Sequence, residues 1–573
     1  MHPMRNGTLR TLPLVTVLSA ALALSVSFCL QAELSAQAPP SSSSSRELIH
    51  GYCVACHDAR LERAGLRLDL IDAAEVGEHA EVWEKVVRKL RTGLMPPPGR
   101  PQPPVDDRNA MASRLEASLD AVSAADPNPG RTETLRRLNR TEYQNSIRDL
   151  LSLDIDATSL LPSDESGYGF DNVTVGDLPP VLLDRYISAA QKISRLAVGT
   201  TQTSLQSDVI RVPADFTQEE HVAGLPIGTR GGVSFPYTFA QDGAYDIQIR
   251  LARNRTGNVG GLRGSQKHKL DLLLDRKLVA TFPVARPDGP DHSVVDKYLR
   301  IRTGVTAGPH EVGVAFHKQS SSLLETERQP LQSHFNEQRH PRLTPAVYQV
   351  SITGPYAPGG AELTPSRRRI FGCQPTESSE EEACAREILS TLMRRAYRRP
   401  VSDADVASSM AFYREARAEG DFDAGIGNAL SAVLINPEFL FRVELDSDAA
   451  ASGAAYRISD LELASRLSFF LWSSIPDEEL LDVAIRGELS EPRKLERQVR
   501  RLLADQRSYN LASNFAGQWL QLRNLESFIP NIRLYPDFDD NLRRALREET
   551  ERFFDHVVRE DRSVLELLSA DYT

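Results

Sequence analysis

The sequence is poor in several features that would assign it to a well-known class of proteins. Five cysteines in 573 residues are too few for a scaffold built on disulfides. The 67 Lys and Arg do not outnumber the 78 Asp and Glu, and the net charge of -11 argues against a nucleic-acid partner. Only one stretch, near the N terminus, is apolar for long enough to cross a bilayer, so the chain is not a polytopic membrane protein.

Familiar catalytic motifs are also missing from the sequence. We find no serine nucleophile elbow, no phosphate-binding loop and no H-E-x-x-H zinc helix. The composition of 41% hydrophobic and 25% charged residues is typical of a folded globular protein. The length predicts about four domains.

The N terminus has the pattern of an export signal. Basic residues precede the uncharged run Leu12–Leu30, and small residues follow it. We therefore predict a signal peptide over residues 1–32, with an uncleaved membrane anchor and a lipid anchor on Cys29 as alternatives. Residues 33–45, rich in Pro and Ser, predict a flexible tether. All three alternatives place the rest of the chain outside the cytoplasm, in the periplasm or beyond it.

The sharpest motif in the sequence is Cys53-Val-Ala-Cys56-His57. C-x-x-C-H is the signature of covalent haem attachment: two thiols bond to one porphyrin edge, and the adjacent histidine becomes an axial iron ligand. A thioredoxin-like dithiol and half of a zinc site are the alternatives, but no βαβ pattern surrounds the motif and no second ligand pair has zinc spacing. We therefore predict one covalent haem c, held by Cys53 and Cys56, with His57 as the proximal ligand.

The second axial ligand is predicted from residues further along the chain. Met95 lies in the loop Leu94-Met-Pro-Pro-Pro-Gly-Arg100, whose stiffness favours presentation of a thioether to the iron. Met111 has the spacing of a helix core residue, while His79 and an open or water-bound position remain alternatives to Met95. His/Met ligation would close the iron to substrates and favours electron transfer.

The spacing of hydrophobic residues changes from one segment of the chain to the next, and these changes predict a multidomain protein. Residues 46–126 predict a small all-α cytochrome c domain, whose porphyrin would be walled by Val82, Val86 and Leu90, with Trp83 and Val87 beside them. Residues 131–200, 366–445 and 456–573 have the period of all-α helical domains. Two of their helices are expected to begin at capping boxes, Asn139 with Glu142 and Ser459 with Glu462.

Residues 205–355 alternate between apolar and polar side chains instead. The alternation at Tyr245, Ile247 and Ile249, and in three later runs, predicts an antiparallel β-sandwich, jelly-roll-like, of a size that commonly binds carbohydrate. In the helical region that follows, Cys373 and Cys384 are expected to form a disulfide, because export leads to an oxidising compartment.

A basic cluster lies in the same helical region. It predicts a solvated helix end, with a partner site as the alternative. Its members are Arg394, Arg395, Arg398 and Arg399.

Four further stretches make the sequence recognisable: Arg137-Leu-Asn-Arg-Thr-Glu-Tyr143, Asn436-Pro-Glu-Phe-Leu-Phe-Arg442, Ala464-Ser-Arg-Leu-Ser-Phe-Phe-Leu-Trp472 and Asn514-Phe-Ala-Gly-Gln-Trp-Leu520. With the haem motif and the Met95 loop, they resemble the large exported proteins of planctomycetes and acidobacteria, in which a planctomycete-type cytochrome c domain precedes several domains of unknown function. The resemblance runs from about residue 46 to the end.

The resemblance implies haem c on Cys53 and Cys56, His57 as the proximal ligand and Met95 as the distal ligand. It also implies a carbohydrate-binding-like sandwich in the middle and a chain truncated at its C terminus. It brings no established reaction and no substrate.

Three functions are compatible with these features. We favour an exported monohaem cytochrome that transfers electrons to a redox partner protein or a surface polymer, because His/Met ligation would close the iron to substrates. The alternatives are a haem-dependent oxidative enzyme acting on a polysaccharide and a carbohydrate-binding scaffold. The sequence names no redox partner, and contact with a membrane is expected only through an N-terminal anchor.

Overall fold

The structure is a computed structural model, and it divides the chain into two compact units, residues 1–131 and 132–573. It describes residues 44–126, 135–164, 169–171, 178–199, 205–262, 264–319, 342–359, 364–445, 456–531, 533–535 and 537–572. The predicted signal peptide and all of the predicted tether before residue 44 lie outside these ranges.

The described part of the first unit is helical. Its helices are α1 (Ser45–Tyr52), α2 (Ala80–Arg91) and α3 (Val105–Ala125), with two short 3₁₀ turns between α1 and α2. Ser44 and Glu47 form a capping box at the start of α1. The helix therefore already includes Ser45, which the sequence predicts as the last residue of the tether. Trp83, Leu115 and Met111 are buried in one core, as the helical spacing of Met111 predicts.

The second unit begins with a short strand and helices. These are β1 (Leu135–Arg137), α4 (Arg140–Leu151), α5 (Ala157–Leu160) and α6 (Pro180–Val198). After the sheets come α7 (Pro365–Ile370), α8 (Glu381–Ala396), α9 (Asp403–Glu419), α10 (Phe422–Ile435), α11 (Pro437–Leu440) and β10 (Phe441–Val443). The capping box predicted at Asn139 and Glu142 is confirmed at the start of α4.

These two helical segments share one hydrophobic core, although we predicted separate domains for residues 131–200 and 366–445. Tyr143 and Ile193 from the first segment lie in the same cluster as Leu389 and Leu430 from the second. The strands β1 and β10 pair antiparallel and join the two ends of this helical body. The β region is therefore inserted between two halves that fold together.

The described residues of the inserted region form eight strands in two antiparallel sheets. The strands are β2 (Gln206–Arg211), β3 (Thr229–Phe239), β4 (Gly243–Leu251), β5 (Lys267–Leu274), β6 (Lys277–Ala285), β7 (Arg300–Val305), β8 (Gly308–His317) and β9 (Val347–Tyr356). Their order is β2-β9-β4-β7 in one sheet and β3-β8-β5-β6 in the other. Ile247 from the first sheet and Leu270 from the second are buried in one core cluster, as alternation predicts.

The last part of the second unit is again helical and has its own core around Trp472. Its elements are α12 (Asp460–Trp472), α13 (Glu478–Ile485), α14 (Pro492–Ala504), a π-helical segment (Leu511–Ala516), α15 (Gly517–Trp519), α16 (Asn524–Ser527), α17 (Asp540–Arg559) and α18 (Glu566–Ser569). The predicted capping box of Ser459 and Glu462 starts α12.

The basic cluster at the C-terminal end of α8 is not a solvated helix end. Arg395 and Arg398 are only 7% and 6% exposed. Arg398 donates hydrogen bonds to the carbonyls of Ala396 and of three residues in 438–441. Burial lowers the pKa of Arg398 to about 10, so it stays charged at neutral pH. The prediction was wrong because the carbonyls that satisfy this guanidinium come from a distant part of the chain.

Two further findings concern the second pair of cysteines and the apolar character of the helices. Cys373 and Cys384 form a disulfide with a Cα–Cα distance of 5.9 Å, closing a separation of 11 residues. Among the helices in the described ranges, none combines the length and the apolar character needed to span a bilayer.

Candidate functional site

The Cys53–His57 motif forms a compact turn directly after α1. The backbone N–H groups of Cys56 and His57 both donate to the carbonyl of Cys53, each at 3.1 Å. The turn is tied to the chain that follows it, because Leu68 N–H donates to the His57 carbonyl at 2.9 Å and Arg63 N–H donates to the Cys56 carbonyl at 3.2 Å. The backbone therefore holds the two thiols and the imidazole in a defined order on one turn.

Both thiols of this turn are free and half-buried. Cys53 packs against the core of the first unit. Burial, with a smaller contribution from the neighbouring Cys56, raises the pKa of the Cys53 thiol to about 11. The two cysteines are therefore available as thiols, and they are not joined to each other in a disulfide.

Two polar nitrogens in the same region are buried without a hydrogen-bond partner among the described residues. They are His57 Nδ1 and Trp83 Nε1. Buried polar atoms are nearly always hydrogen-bonded, and leaving one unpaired costs about 1–3 kcal/mol. The His57 imidazole, which keeps some exposed surface, therefore has a ring nitrogen that no described residue satisfies, and binding of the imidazole to a haem iron would use one of its two ring nitrogens.

The alternatives to haem fit the turn less well. Within the described residues, no group of three or more His, Cys, Asp or Glu side chains could hold a metal ion, so a zinc site has no second half there. Residues 44–126, which are all described, contain no strand, so the βαβ surroundings of a thioredoxin-like dithiol are absent from this segment.

The apolar stripe of α2 is centred differently from our prediction. Trp83, Val87 and Leu90 are the buried residues of this helix, whereas Val82 and Val86 are half-buried at its flanks. The observed spacing follows the 3.6-residue period of a helix. Val82 and Val86 are the members of the stripe that keep exposed surface, and so remain accessible to a bound group.

The two candidates for the second axial ligand both have exposed surface. Met95 is 39% exposed and lies in the loop after α2, where its N–H donates to the Lys89 carbonyl at 3.3 Å. Gln102, which we did not predict as a site residue, fastens this loop because its Nε2 donates to the Pro96 carbonyl at 2.8 Å. His79 is exposed and lies at the N-terminal cap of α2. No sequence signal distinguishes Gln102 from other polar residues.

Four family models match the chain. Residues 53–99 match "Planctomycete cytochrome C". Residues 136–199 match "Protein of unknown function (DUF1587)", residues 384–444 match "Protein of unknown function (DUF1595)" and residues 458–573 match "Protein of unknown function (DUF1592)". Among curated proteins, none matches the chain.

Two solved structures have a weak local similarity to the chain. A β-glucosidase from Paenibacillus barengoltzii is 11% identical with a TM-score of 0.13, and the match covers 26% of this chain and 10% of that one. A cycloisomaltooligosaccharide glucanotransferase from a Paenibacillus species is 13% identical with a TM-score of 0.13, and the match covers 24% of this chain and 22% of that one. The chain spans only these small shares of either structure, and such TM-scores support no argument about fold or activity.

The family models agree with the sequence resemblance in order and in content. The cytochrome c match contains Cys53, Cys56, His57 and Met95, and this kind of domain implies haem c. The three later matches cover the stretches quoted from the helical regions. The chain is therefore a multidomain protein with an N-terminal planctomycete cytochrome c domain followed by three domains of unknown function.

Proposed function

We propose that the protein is an exported monohaem cytochrome that transfers electrons. The observation that carries the proposal is the C-x-x-C-H turn inside a matched cytochrome c domain, with two free thiols and a buried imidazole nitrogen lacking a partner among the described residues. Cys53 and Cys56 would form the thioether bonds, and His57 would be the proximal ligand. A haem bound there supplies a reversible one-electron couple.

The chain's own residues would tune and protect this group. The core around Trp83 and Leu90 excludes water from one side of the turn, and low polarity around a haem is one of the factors that set its potential. Met95, held in the loop that Gln102 fastens, would take the second axial position. Occupation of both axial positions favours electron transfer over oxygen chemistry.

The test of this proposal is an absorbance spectrum of the full chain produced with a haem-maturation system. We expect a c-type α band after reduction in the wild type and no such band in a Cys53→Ser/Cys56→Ser variant. A Cys373→Ser/Cys384→Ser variant is the matched control, because it also removes two cysteines but should keep the band. A wild type without the band, or a band that survives in the Cys53→Ser/Cys56→Ser variant, would refute the proposal.

We also propose that the inserted β region is a jelly-roll sandwich that binds an acidic polysaccharide. The order β2-β9-β4-β7 facing β3-β8-β5-β6 supports the jelly-roll assignment, because every connection between sequential strands crosses from one sheet to the other except the one that joins the neighbours β5 and β6. A groove of about 970 Å³ in this region supports the ligand class, because five arginines and no acidic residue are among its described lining residues. They are Arg250, Arg253, Arg255, Arg286 and Arg342. Arg253 is paired with Asp296 and Arg342 with Glu219, so the argument depends most on Arg250 and Arg286.

Polymer binding can be tested separately from the haem. We expect the full chain to be retarded in gels that contain polygalacturonate but not in gels that contain neutral amylose. Arg250→Gln/Arg286→Gln should weaken the retardation, whereas Arg493→Gln/Arg497→Gln, which removes two exposed arginines from α14, should not. The assignment would be contradicted if amylose retarded the wild type as much as polygalacturonate does. It would also be contradicted if polygalacturonate retarded the two variants equally.

A further inference from the structure

A cleft of about 300 Å³ lies where parts of the second unit that are far apart in sequence meet. It is lined by residues from β1 and α4, from β10, from α12 and from the π-helical segment and α15. The three domains of unknown function therefore all contribute to one cleft. Clefts formed between such segments are preferred places for ligand sites.

Two arginines of this cleft are held side by side by the β1–β10 pairing. Arg136 and Arg442 are directly opposite each other in the register. Like charges in that position destabilise a strand pair unless something neutralises them. Glu142 forms an ion pair with Arg442, since its Oε1 lies 3.4 Å from an Nη of that guanidinium. Arg442 Nε is nevertheless buried without a hydrogen-bond partner among the described residues.

Arg136 has no carboxylate at ion-pairing distance among the described residues. Its guanidinium forms no hydrogen bond and no ion pair within the described part of the chain. Burial, together with the nearby Arg442, lowers the pKa of Arg136 by more than the nearby Glu444 and Glu142 raise it, which means that its surroundings disfavour a positive charge. A half-buried cation of this kind is stabilised by an anion that enters the cleft.

The remaining charged side chains at the cleft are already paired. Arg466 forms a two-pronged pair with Glu444, at 2.8 Å and 2.6 Å. Asp171 is paired with Arg523. Among the described residues at the cleft, the one charge without a close partner is therefore the positive charge of Arg136. This charge favours a monoanion as the ligand over a cation or a neutral molecule.

An aromatic wall lies next to the two arginines. Phe470 is 53% exposed, and its ring centroid lies 5.6 Å from that of Phe515, which in turn stacks on Phe170 at 5.8 Å. Phe170, Phe470 and Phe515 all line the cleft. Exposed aromatic side chains in a cleft offer a surface for the face of a ring.

We propose that this cleft binds a small carboxylic acid that carries a six-membered ring. The carboxylate pairs with Arg136 and Arg442, because arginines bind planar oxyanions in a two-pronged geometry. The ring lies against Phe470, the exposed member of the aromatic wall. Sugar acids and aromatic acids share this chemistry, and both fit a cleft at the lower end of the range of small-molecule sites.

The test is isothermal titration calorimetry on the full chain with two matched pairs of probes: glucuronate with glucose, and benzoate with benzyl alcohol. We expect at least one acid to bind about tenfold or more tightly than its neutral partner, because the pair differs in the charge-assisted hydrogen bonds. A difference between glucuronate and glucose identifies the ligand as a sugar acid, and a difference between benzoate and benzyl alcohol identifies it as an aromatic acid. Sulfate, an anion without a ring, is expected to bind more weakly than that acid.

Variants then locate the binding. Arg136→Gln should weaken binding of the acid about tenfold or more, and Arg136→Lys should keep part of it, because the charge remains but the two-pronged geometry is lost. Phe470→Ala should weaken binding of the acid more than that of sulfate. Arg497→Gln removes the same charge from an exposed site on α14 and should leave binding unchanged.

The proposal is overturned if neither acid binds, if a neutral probe binds as tightly as its acid, or if sulfate binds as tightly as both acids. It is also overturned if a folded Arg136→Gln variant binds the acid as the wild type does. The comparison of acids with neutral probes uses only the wild type, so the proposal stays testable if that variant does not fold. The Cys53→Ser/Cys56→Ser variant should bind the acid normally, which separates this site from the haem.

Discussion

Replacing His268 with leucine should make the β region more resistant to acid. His268 lies on β5, is only 2% exposed, and neither of its ring nitrogens has a hydrogen-bond partner among the described residues. Its ring lies edge-on to Phe316, and the Arg230 guanidinium stacks over the same phenyl ring. Burial, with a smaller contribution from Arg230, lowers the pKa of His268 from 6.5 to about 4.

The direction of the pH effect follows from which state holds the proton. Between pH 6.5 and about 4 the unfolded chain protonates this imidazole, whereas the folded chain keeps it neutral. The free energy of unfolding therefore falls as the pH falls through this window, and the effect is absent above it. Since one pKa unit corresponds to about 1.4 kcal/mol, the loss at pH 4 is about 3 kcal/mol.

Hydrogen exchange followed by mass spectrometry on β5 and β8 peptides of the full chain measures this loss. From pH 7.5 to pH 4, we expect the wild type to lose about 3 kcal/mol more of its free energy of opening than His268→Leu does. His317→Gln, a change at a half-buried histidine that is paired with Asp271 on the same sheet, should leave the loss due to His268 in place. Equal acid sensitivity in wild type and His268→Leu would refute the reasoning.

Two other outcomes follow from the structure. Cys373→Ser/Cys384→Ser should lower the free energy of unfolding of the helical body by about 3 kcal/mol in urea titrations, because the disulfide closes a separation of 11 residues; an unchanged midpoint would contradict this. In ferric protein that carries haem, we expect the weak red absorption band of methionine ligation in the wild type and in His79→Ala, and its loss in Met95→Ala. A wild type without the band, or a band that survives in Met95→Ala, would contradict Met95 as the second ligand.

Features with local causes were predictable from the sequence. The capping box of Asn139 and Glu142 depends on residues three positions apart, and the alternation at Tyr245 and Ile247 depends on the pleat of a single strand. The Cys53–His57 motif was found for the same reason, since its chemistry needs five consecutive residues. Each of these signals lies within a few residues of sequence.

Features that depend on distant partners were not predictable. Arg398 is buried because carbonyls about 40 residues further along the chain accept its hydrogen bonds. The helical segments on either side of the β region share one hydrophobic core, which the spacing of hydrophobic residues in either segment alone does not predict. Arg136 is noteworthy only because the β1–β10 register sets it opposite Arg442. Sequence patterns describe one element at a time, whereas these properties arise where elements meet.

The central claim is that one haem is bonded covalently to Cys53 and Cys56. Mass spectrometry of the full chain, matured with haem and then denatured, tests this most directly. We predict the mass of the polypeptide plus one haem, with the added mass on the peptide that contains both cysteines. A denatured chain with the mass of the bare polypeptide, or with the haem on a different peptide, would contradict the account.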